Sequence, residues 1–370
     1  MYKVLNISEE GRGGGAIGRM RIIANELKNS LNTVIVVPKG SKKYVRSLEQ
    51  LGLNYKEIGL HPMTKDMWGA ILYLVFFVPE IILLMRLIKK EEPDIVHCNG
   101  SWQIKGIIAS KLAGVPAYWH MNDTFQPRFV EQLFKMLSNL PKGYIYASER
   151  TRNYYQNISS QIKNKESSLV LQAPVDRGLI EPVIRKRTSP RRFLMIGYIN
   201  IHKGIELLIT AASLLKHEKI YIDIVGPVLE SQQTYMSSLE KQISDLGVSN
   251  ISFLGYQNIN NDLLSKYHYY VCSSIREASP MAVWESMASG LPIVSTDVGD
   301  VKSIIEKNGC GIISKELNGA SLAKAIGLII SQTDDEYRTM SENAVSASAS
   351  FDKKEVAKSY LRFYKEVIGE

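Results

Sequence analysis

The chain alternates between short continuous apolar runs and longer stretches with helical periodicity. The apolar runs predict a first series of strands at residues 3–7, 33–37, 95–97, 117–120 and 144–147, and a second series at 192–196, 221–225, 251–254, 269–273, 293–295 and 311–313. Apolar residues three and four positions apart predict helices between them, including 18–30, 204–216, 232–246, 317–331 and 353–368. Because these strands lack polar alternation and are separated by helices, they favour parallel sheets covered on both faces.

The series of strands restarts after a polar, basic segment, residues 185–192, which is typical of an interdomain linker. A chain of 370 residues is also long for a single core. We therefore predict an α/β protein of two Rossmann-like, doubly wound domains, 1–185 and 186–350, and a terminal helix, 351–370, that packs back toward the first domain. Ligands of such sheets bind beyond the carboxyl ends of the strands, so a cleft between the two domains is the expected active site.

One apolar stretch, residues 68–88, approaches the length of a membrane span. Pro79, Glu80 and Arg86 interrupt it and leave an apolar run shorter than the roughly 20 residues that a spanning helix needs. The favoured interpretation is a mostly buried helix. The alternative is a helix that lies in the membrane surface, with its apolar side in the lipid and basic residues at the head groups.

Composition narrows the setting and the partners. Hydrophobic residues make up 45% of the chain and charged residues 22%, which is typical of a globular protein. Cys98, Cys272 and Cys310 give no disulfide or zinc pattern, and the N-terminus reads as a strand and not as a signal peptide, so we expect a cytoplasmic protein. The net charge of +8 suits acidic substrates or an anionic membrane surface. Nucleic acid is not expected, because no binding motif accompanies the charge.

The most specific chemical pattern is a pair of glutamates, Glu277 and Glu285, separated by seven residues that include a Ser-Pro dipeptide. Ser279 is predicted as the N-cap and Pro280 as the first residue of a helix that closes at Gly290. Glu277 then precedes the helix and Glu285 lies on it, with a phosphate-binding helix N-terminus between them. Two carboxylates beside an anion site suit a ligand that is part sugar and part phosphate. A capped amphipathic helix without a ligand has the same pattern.

A glycine-rich segment follows the first predicted strand. Gly13, Gly15 and Gly18 satisfy G-x-G-x-x-G, which is the pattern of dinucleotide-binding domains. However, Pro38 and Lys39 follow the second strand, where such a domain needs an acidic residue for the ribose. We therefore disfavour an NAD-dependent oxidoreductase.

The second predicted domain repeats this device. Gly197 directly follows its first strand, and Lys203-Gly204 opens the next helix. Lys203 in that position would supply a positive charge to a diphosphate. The alternative is an ordinary exposed lysine near a turn.

Over nearly the whole chain these segments resemble the retaining, nucleotide-sugar-dependent glycosyltransferases of family 4, which belong to the GT-B class. The glutamate pair is the strongest element of the resemblance. The weaker ones occur in the family's order: the glycines at 13–15, Pro93-Asp94-Ile95-Val96-His97, Val115-Pro116 before His120, Ala147-Ser148-Glu149, Gly197 with Lys203-Gly204, Val225-Gly226, Phe253-Leu254-Gly255 and Thr296-Asp297-Val298-Gly299. The resemblance implies a GT-B architecture, in which an acceptor-side domain and a nucleotide-sugar-binding domain face a cleft.

The resemblance also implies roles for individual residues. Glu285 would bind the ribose hydroxyls of the nucleotide, and Glu277 would face the donor sugar. Lys203 would neutralise the leaving diphosphate, and His120 would contact the donor sugar at the reaction centre. The implied catalytic residues are Glu277, His120 and Lys203; the donor site comprises Gly14, Gly15, Gly197, Tyr198, Lys203, Gly226, Tyr256, Glu277, Ala278, Ser279, Pro280, Met281, Ala282 and Glu285; the acceptor side comprises Gly14, Asn99, Trp102 and His120.

Two positions depart from the family's pattern. Tyr198 stands where the family usually has an arginine that acts with the lysine, so Arg12, Arg276 or another residue would have to balance one diphosphate charge. Ser303 stands where a glutamate is expected. The resemblance therefore leaves the donor sugar and its nucleotide base open.

The implied reaction moves a hexosyl-type sugar from a nucleoside diphosphate to an acceptor hydroxyl with retained anomeric configuration. The displacement would occur on one face of the sugar, with a leaving phosphate oxygen accepting the acceptor's proton. The protein would position the substrates and stabilise negative charge. No Asp-x-Asp element stands out, so we expect neither a required metal nor a cofactor, only a UDP- or GDP-linked sugar as co-substrate.

The acceptor is the least specified partner. Trp102, Trp119 and Phe125 could meet a sugar or a lipid, although aromatic residues are more often core. We expect a polyprenyl-linked oligosaccharide of a bacterial envelope polysaccharide, and peripheral association with the inner face of the cell membrane. A glycoside hydrolase is disfavoured because its two carboxylates flank the scissile bond from opposite sides. A catalytically weak nucleotide-sugar-binding or membrane-scaffold protein stays open because of Tyr198.

Overall fold

The structure is a computed structural model that describes residues 1–9, 15–63, 67–164 and 167–369. The chain divides into two units. The first unit consists of Met1–Pro174 together with Lys353–Glu370, and the second of Val175–Asp352.

The first unit alternates strands and helices. Its elements before the crossing to the second unit are β1 (Lys3–Ile7), α1 (Gly15–Leu27), β2 (Asn32–Pro38), α2 (Lys42–Gln50), β3 (Asn54–Ile58), α3 (Met67–Glu91), β4 (Ile95–Asn99), α4 (Ile104–Ala113), β5 (Ala117–Met121), α5 (Arg128–Leu137), β6 (Gly143–Tyr146), α6 (Glu149–Ile158) and β7 (Ser167–Val170). Among the described residues, the strands form one seven-stranded parallel sheet in the order β3-β2-β1-β4-β5-β6-β7. The order reverses between β1 and β4, and ligands of doubly wound sheets bind at such a point.

The second unit repeats the plan. Its elements are β8 (Arg191–Ile196), α7 (Ile205–Leu214), β9 (Ile220–Val225), α8 (Gln233–Leu246), β10 (Ile251–Phe253), α9 (Asn261–Leu264), β11 (Tyr269–Cys272), α10 (Met281–Ala288), β12 (Ile293–Ser295), α11 (Val301–Asn308), β13 (Gly311–Ile313), α12 (Gly319–Ile330) and α13 (Asp334–Ser348). In the described part of this unit, six parallel strands follow the order β10-β9-β8-β11-β12-β13. Here the order reverses between β8 and β11.

Two doubly wound parallel α/β units confirm the predicted fold class. Every predicted strand forms within two residues of its predicted bounds. Two strands, β3 and β7, were not predicted from the sequence. Both lie at edges of the first sheet, and their sequences, NYKEI and SSLV, alternate or lack the continuous apolar run of a central strand. An edge strand is covered less completely, so polar side chains suffice there.

The C-terminal helix, α14 (Lys353–Ile368), belongs to the first unit. Its buried residues Val356, Tyr360, Phe363 and Tyr364 recur at helical spacing and pack in one cluster with Val4, Ile95, Tyr118 and Ile145 of the sheet. The helices α3, α4, α5 and α6 contribute to a separate apolar cluster with the same sheet. The sheet is therefore covered on both faces, as continuous apolar strands require.

The boundary between the units lies earlier than predicted. The first unit ends at Pro174, whereas the sequence predicted an end at residue 185 and a linker over 185–192. The reason is that this segment bonds to the second unit: Val183 N donates to the Ser289 carbonyl at 3.1 Å, and Arg185 Nη1 donates to the same oxygen at 2.5 Å. A second bond from Arg185 Nη2 reaches the Leu264 carbonyl at 3.1 Å. The basic segment is thus held in place by the second unit.

The favoured interpretation of residues 68–88 as a mostly buried helix is wrong. The helix α3 forms continuously through Pro79, but only 28% of the residues in its apolar 18-residue window are buried. Among the described residues, α3 is the one helix long and apolar enough to cross a membrane by length and composition. Its outward side carries large apolar residues that a soluble core helix would bury.

Candidate active site

The carboxyl edge of the second sheet brings together the predicted glycine turns and Lys203. Gly197 follows β8, and Gly226 follows β9. A Cβ on Gly226 would lie 1.9 Å from the Gly197 carbonyl oxygen, and a Cβ on Gly197 would lie 2.5 Å from Cε of Lys203. The two glycines therefore let the turns approach each other and let the lysine side chain lie directly against the backbone.

Lys203 is held by its own backbone and by Glu277. Gly204 adopts a left-handed conformation with φ of 57°, and its close approach to the Ser273 carbonyl leaves no space for a Cβ. Ser273 Oγ donates to the Lys203 carbonyl at 2.9 Å. Lys203 Nζ then donates to Glu277 Oε1 at 2.6 Å, and both side chains are 20% exposed. The structure thus joins two residues that the sequence placed 74 positions apart.

The electrostatics of this pair favour a charged lysine. Burial alone would lower the pKa of the Lys203 ammonium. The charge of the Glu277 carboxylate and the hydrogen bond to it together outweigh burial, so the pKa of Lys203 lies above its ordinary value. One ammonium and one partly exposed carboxylate at a strand terminus form a site that an anionic ligand can enter by competing for the lysine.

The glutamate pair lies as predicted relative to its helix, but the cap differs. Glu277 lies in the loop before α10, and Glu285 lies within α10. The N-cap is Pro280 and not Ser279, and it makes no side-chain cap bond. Ser279 Oγ instead accepts a hydrogen bond from the indole Nε1 of Trp284 at 3.1 Å. The first amides of α10 are therefore not capped by the predicted serine.

Glu285 is partly buried, and burial raises its pKa to about 7. Trp284 on one side of it is buried against Phe351, with ring centroids 4.4 Å apart. The residues on both sides of Glu285 in α10 are buried, so its carboxyl group lies in an environment of low dielectric constant. A carboxylate there gains more from hydroxyl donors than it would in water.

A loop that sequence reasoning assigned no role supports Glu277. Thr296 Oγ1 donates to the Ser274 carbonyl at 2.6 Å. Gly299 has φ of 50°, and a Cβ there would lie 2.3 Å from the Ala278 carbonyl. The sequence gives no role to the Thr-Asp-Val-Gly segment, yet its backbone packs directly against the loop that carries Glu277.

The remaining predicted donor residues differ in accessibility. Tyr198 is 39% exposed and Tyr256 is 67% exposed, whereas Ala278 is buried. Gly15 begins α1. Gly14 and Arg12 lie outside the described residues. The structure gives each of the described positions a place at a strand or helix end, and their roles toward a donor stay predictions.

The first unit has its own polar cluster at the carboxyl ends of β4 and β5. His97 Nε2 lies 3.0 Å from His120 Nδ1, and both side chains are buried. On its other side His97 Nδ1 lies 2.5 Å from the hydroxyl of Tyr364, and the hydroxyl of Tyr360 lies 3.4 Å from His120 Nδ1. Both tyrosines come from α14. Within the described residues, His120 Nε2 is buried and has no hydrogen-bond partner.

Burial and a nearby cation keep both histidines neutral. The Arg19 guanidinium is buried in α1; it donates to Asn99 Oδ1 at 3.1 Å and also bonds Asn122. Burial, assisted by this positive charge, lowers the pKa of His97 to about 3 and moves the pKa of His120 in the same direction. If the Tyr364 hydroxyl donates to His97 Nδ1, the proton of neutral His97 is on Nε2, which then donates to His120 Nδ1. The proton of neutral His120 is in that case on Nε2, where it can donate to a ligand.

Sequence reasoning missed most of this cluster. The sequence predicted His120 and Asn99 as site residues, but it predicted no role for Arg19, His97, Asn122, Tyr360 or Tyr364. Tyr364 is 267 positions from the histidine that it bonds. The signal that could have found it was weak: two tyrosines four residues apart on the apolar face of a terminal helix.

The predicted acceptor-side residues divide into site and core. Asn99 is buried at the end of β4 and bonds Arg19. Trp102 is half-buried and forms an edge contact with Phe129, with ring centroids 6.1 Å apart. Phe125 is 50% exposed. Trp119 is fully buried beside Phe134, so it belongs to the core and is not available to an acceptor.

A metal site was not expected. In residues 1–9, 15–63, 67–164 and 167–369, no group of three or more His, Cys, Asp or Glu side chains lies close enough to hold a metal ion. Metal independence stays a prediction about the reaction.

Comparison with solved structures identifies the fold. The crystal structure of Anabaena HepE in complex with UDP-glucose covers 100% of this chain and 99% of its own, with a TM-score of 0.81 and 19% sequence identity. At that identity the likeness is one of fold. The chain therefore has the GT-B fold, as predicted.

Comparison with known sequences identifies the family. Residues 176–346 match the family described as glycosyl transferases group 1. The chain is 32% identical over 283 residues to the Bacillus subtilis protein named putative glycosyltransferase EpsD. The aligned region covers 68% of this chain and 72% of EpsD. It is 21% identical over 388 residues to an N,N'-diacetylbacillosaminyl-diphospho-undecaprenol alpha-1,3-N-acetylgalactosaminyltransferase of Campylobacter jejuni, with coverage of 96% and 97%. This chain belongs to the group 1 glycosyltransferases.

Proposed function

We propose that the protein transfers a hexosyl-type sugar, with retained anomeric configuration, from a nucleoside diphosphate sugar to a hydroxyl of a polyprenyl-diphosphate-linked glycan. The reaction would serve the synthesis of a bacterial envelope polysaccharide. The observation that carries the proposal is the Lys203–Glu277 pair at 2.6 Å, next to the N-terminus of α10 and the partly buried Glu285. These groups match the parts of a nucleotide sugar: a diphosphate, a sugar and a ribose.

The donor is proposed to bind along the carboxyl edge of the second sheet. Lys203 would leave its contact with Glu277 in part and neutralise the diphosphate, a charge-assisted interaction. The first amides of α10 and the positive end of its dipole would also face the phosphates. Glu285 would accept hydrogen bonds from the ribose hydroxyls, and Glu277 would accept from hydroxyls of the donor sugar.

Tyr198 bears on the strength of this site. It stands where the family usually has an arginine, and its half-exposed phenol supplies a hydrogen-bond donor but no charge. We propose that the N-terminus of α10 supplies part of the missing positive potential. Weak turnover with intact donor binding is the alternative outcome, and Tyr198 is the residue that favours it.

The displacement is proposed to occur on one face of the sugar. The bond from the anomeric carbon to the diphosphate oxygen breaks, the acceptor oxygen bonds to the same carbon on the same face, and the acceptor's proton passes to a phosphate oxygen. Lys203 stabilises the charge that develops on the leaving diphosphate. His120 is neutral, so its Nε2–H would orient the donor sugar by a hydrogen bond and would not act as an acid.

The acceptor proposal rests on the relatives. The Campylobacter jejuni protein, similar over nearly its whole length, is named for transfer to an undecaprenyl-diphosphate-linked sugar. A polyprenyl acceptor resides in a bilayer, so we propose peripheral association with the inner face of the cell membrane. The assignment to family 4 and the UDP or GDP base belong to the same proposal.

A binding panel followed by a transfer assay tests the function. Thermal shifts are measured with UDP, GDP, TDP and their sugars, and transfer is then measured to a short polyprenyl-diphosphate-linked sugar, with the anomeric configuration read by NMR. We expect stabilisation by UDP or GDP, loss of that stabilisation in Glu285→Ala, and a product with the donor's configuration. Glu306→Ala, an exposed acid on α11, is the matched control. An inverted product would overturn the retaining mechanism, and stabilisation without transfer would favour a binding protein.

A further inference from the structure

The outward side of α3 is a continuous apolar surface. Large side chains point away from the unit along most of the helix: Trp68 is 72% exposed, Leu74 69% and Val78 61%. We call this surface the apolar face of α3; its exposed members are Met67, Trp68, Ile71, Leu72, Leu74, Val75, Phe76, Val78, Ile82 and Leu83. A contiguous exposed patch of this kind marks a site of interaction with another molecule or with lipid.

The single acid in the apolar part of α3 is turned inward. Glu80 is 3% exposed; its carboxylate accepts a hydrogen bond from Lys105 Nζ at 2.5 Å and lies 2.5 Å from His61 Nδ1. Throughout Met67 to Leu83, the exposed positions of the described helix are therefore free of charge. From Met67 to Leu83 the helix keeps its one carboxylate away from the outward side and presents only apolar groups there.

The inward side anchors the helix to the sheet. Tyr73, Ile81, Leu84 and Ile88 are buried at spacings of three, four and eight positions, and the last three pack in the cluster that includes Val96 and Cys98 of β4. A helix fixed along one side by its own domain cannot be surrounded by lipid. The geometry suits a helix that lies in the membrane surface, embedded to part of its diameter.

The charges at the end of α3 complement an anionic bilayer. Arg86, Lys89 and Lys90 are exposed in its last two turns. Glu91 is bound by Lys3 Nζ at 2.7 Å, which offsets its charge. Basic side chains next to an embedded apolar helix bind anionic head groups.

We propose that the apolar face of α3 inserts into the head-group and acyl boundary of an anionic lipid bilayer, with Arg86, Lys89 and Lys90 at the lipid phosphates. A bilayer fits better than a second protein copy, because the exposed positions of α3 from Met67 to Leu83 are uncharged and three exposed cations follow them, a combination that matches an acyl boundary beside anionic head groups. The apolar face of α3 would thus be the surface that holds the protein at the membrane. This proposal rests on the proposed function only in that it requires a bilayer. Vesicle binding needs no turnover and tests it separately.

Vesicle flotation measures the binding directly. The full chain is mixed with vesicles of phosphatidylcholine and phosphatidylglycerol in equal parts, or of phosphatidylcholine alone. We expect binding to the anionic vesicles and at least tenfold weaker binding after Trp68→Ser, Leu74→Ser and Val78→Ser are combined, since the inserted area is lost. The matched control combines Leu214→Ser, Leu246→Ser and Leu328→Ser, exposed leucines of the second unit, and should bind as the unchanged protein does.

The charge contribution has a separate variant. Lys89→Gln with Lys90→Gln should weaken binding to anionic vesicles by about fivefold for each lysine and should leave binding to phosphatidylcholine unchanged. High salt should act in the same direction. Equal loss on both kinds of vesicle would contradict the head-group contact.

Trp68 supplies a local readout. Trp119 and Trp284 are buried, and Trp102 is half-buried, so Trp68 dominates the change in emission on insertion. We expect a blue shift with anionic vesicles and quenching by lipids brominated on the acyl chain, both absent in Trp68→Phe, which should still bind. Binding unaffected by the three serines would overturn the proposal. Absence of vesicle binding, with self-association that the same serines abolish, would assign the face to a second copy instead.

The result is separable from the proposed function. The serine variant keeps Lys203, Glu277 and Glu285, so its stabilisation by a nucleoside diphosphate should be unchanged. Lost vesicle binding with an intact thermal shift is the expected pattern. Vesicle binding in a protein that no nucleotide stabilises would support the docking surface and count against the transfer reaction.

Discussion

Each unit contains a lysine near the start of a helix, held by glutamate, but the two environments differ. Lys105, in the first turn of α4, is fully buried; its Nζ lies 2.5 Å from Glu80 Oε2 and 3.1 Å from Glu9 Oε2, and it donates to the His61 carbonyl at 2.8 Å. Lys203, before α7, is 20% exposed and bonds Glu277. The first lysine is saturated, whereas the second has room for another anion.

The charge balance around Lys105 shows why the first site is closed. Burial raises the pKa of Glu9 to about 8, against the opposing effect of Lys105, and the Glu80 carboxylate raises it further. At neutral pH Glu9 is therefore mostly protonated and uncharged. Lys105 and Glu80 satisfy each other, whereas the Glu9 oxygens have no hydrogen-bond partner among the described residues. A buried ion pair such as Lys105–Glu80 is a structural feature. An open pair at a strand terminus is where a ligand can bind. Burial of a lysine alone does not indicate function.

The largest effect should come from breaking the closed cluster. Lys105→Met leaves Glu80 buried without its cation, and we expect the free energy of unfolding to fall by about 3–5 kcal/mol, measured by urea denaturation. Lys111→Met, an exposed lysine on the same helix, is the control and should change stability by less than about 0.5 kcal/mol. Adding Glu80→Gln to Lys105→Met should restore part of the loss. A Lys105→Met protein as stable as the control would remove the distinction between the two lysines.

Lys203→Met should show the opposite pattern, with its main effect on activity. Loss of the charge that stabilises the leaving diphosphate should lower kcat by about 10²–10³-fold. Stability should fall less than in Lys105→Met, because Glu277 is partly exposed and can be hydrated. Lys216→Met, just beyond α7, is the control. Full activity in Lys203→Met would remove this lysine from the proposed mechanism.

A smaller loss of kcat should distinguish Tyr364 from Tyr360, the two tyrosines that contact His97 and His120. Tyr364→Phe removes a 2.5 Å contact and leaves a buried ring nitrogen unsatisfied, at a cost of about 1–3 kcal/mol in stability. If Tyr364 positions His120 through His97, kcat should fall about tenfold, a loss of about 1.4 kcal/mol in transition-state stabilisation, with little change in KM for the donor. Tyr360→Phe, which removes the longer 3.4 Å contact, should change kcat less. Equal losses in kcat and in donor affinity would point to general damage.

The smallest effect is a pH dependence of donor binding through Glu285. Burial raises the pKa of Glu285 from 4.5 to about 7. Between these two pH values the folded state holds a proton that the unfolded chain has released. The free energy of unfolding therefore falls as the pH rises from 4.5 to about 7. Ribose hydroxyls need the carboxylate as acceptor. Affinity for a nucleotide sugar should therefore rise about tenfold between pH 6 and pH 8, as the ionised fraction increases.

Calorimetry with an intact nucleotide sugar measures this dependence. Each of its two phosphates carries one ester and one anhydride bond and does not titrate in this range, unlike the terminal phosphate of a free nucleoside diphosphate. Glu285→Gln should bind weakly and independently of pH, and Glu306→Gln should keep the full dependence. The same slope in Glu285→Gln would assign the titration to another group.

Local patterns predicted where the candidate residues of the second unit lie along its strands and helices. Gly197 follows a strand, Lys203 and Glu277 precede helices, and Glu285 lies within α10, all as apolar periodicity with glycine and proline indicated. The parallel topology then brings those ends to one edge of the sheet. The cap at Ser279 was wrong, because the helix begins one residue later, with Pro280 at the N-cap. The Ser279 hydroxyl accepts from the Trp284 indole instead, a contact that depends on side-chain packing and leaves no mark in the local sequence.

The sequence by itself determined the two parallel α/β units, all their central strands, the helix at 353–368 and the positions of Lys203 and Glu277 just before two helices, because hydrophobic period and turn chemistry are local properties. Only the tertiary structure decided the rest. It brought α14 to the histidines of β4 and β5, moved the unit boundary to Pro174 by the bonds of Arg185, and turned Glu80 inward so that the other side of α3 is apolar. These outcomes depend on which distant groups satisfy a buried charge, and that is a property of the packed chain.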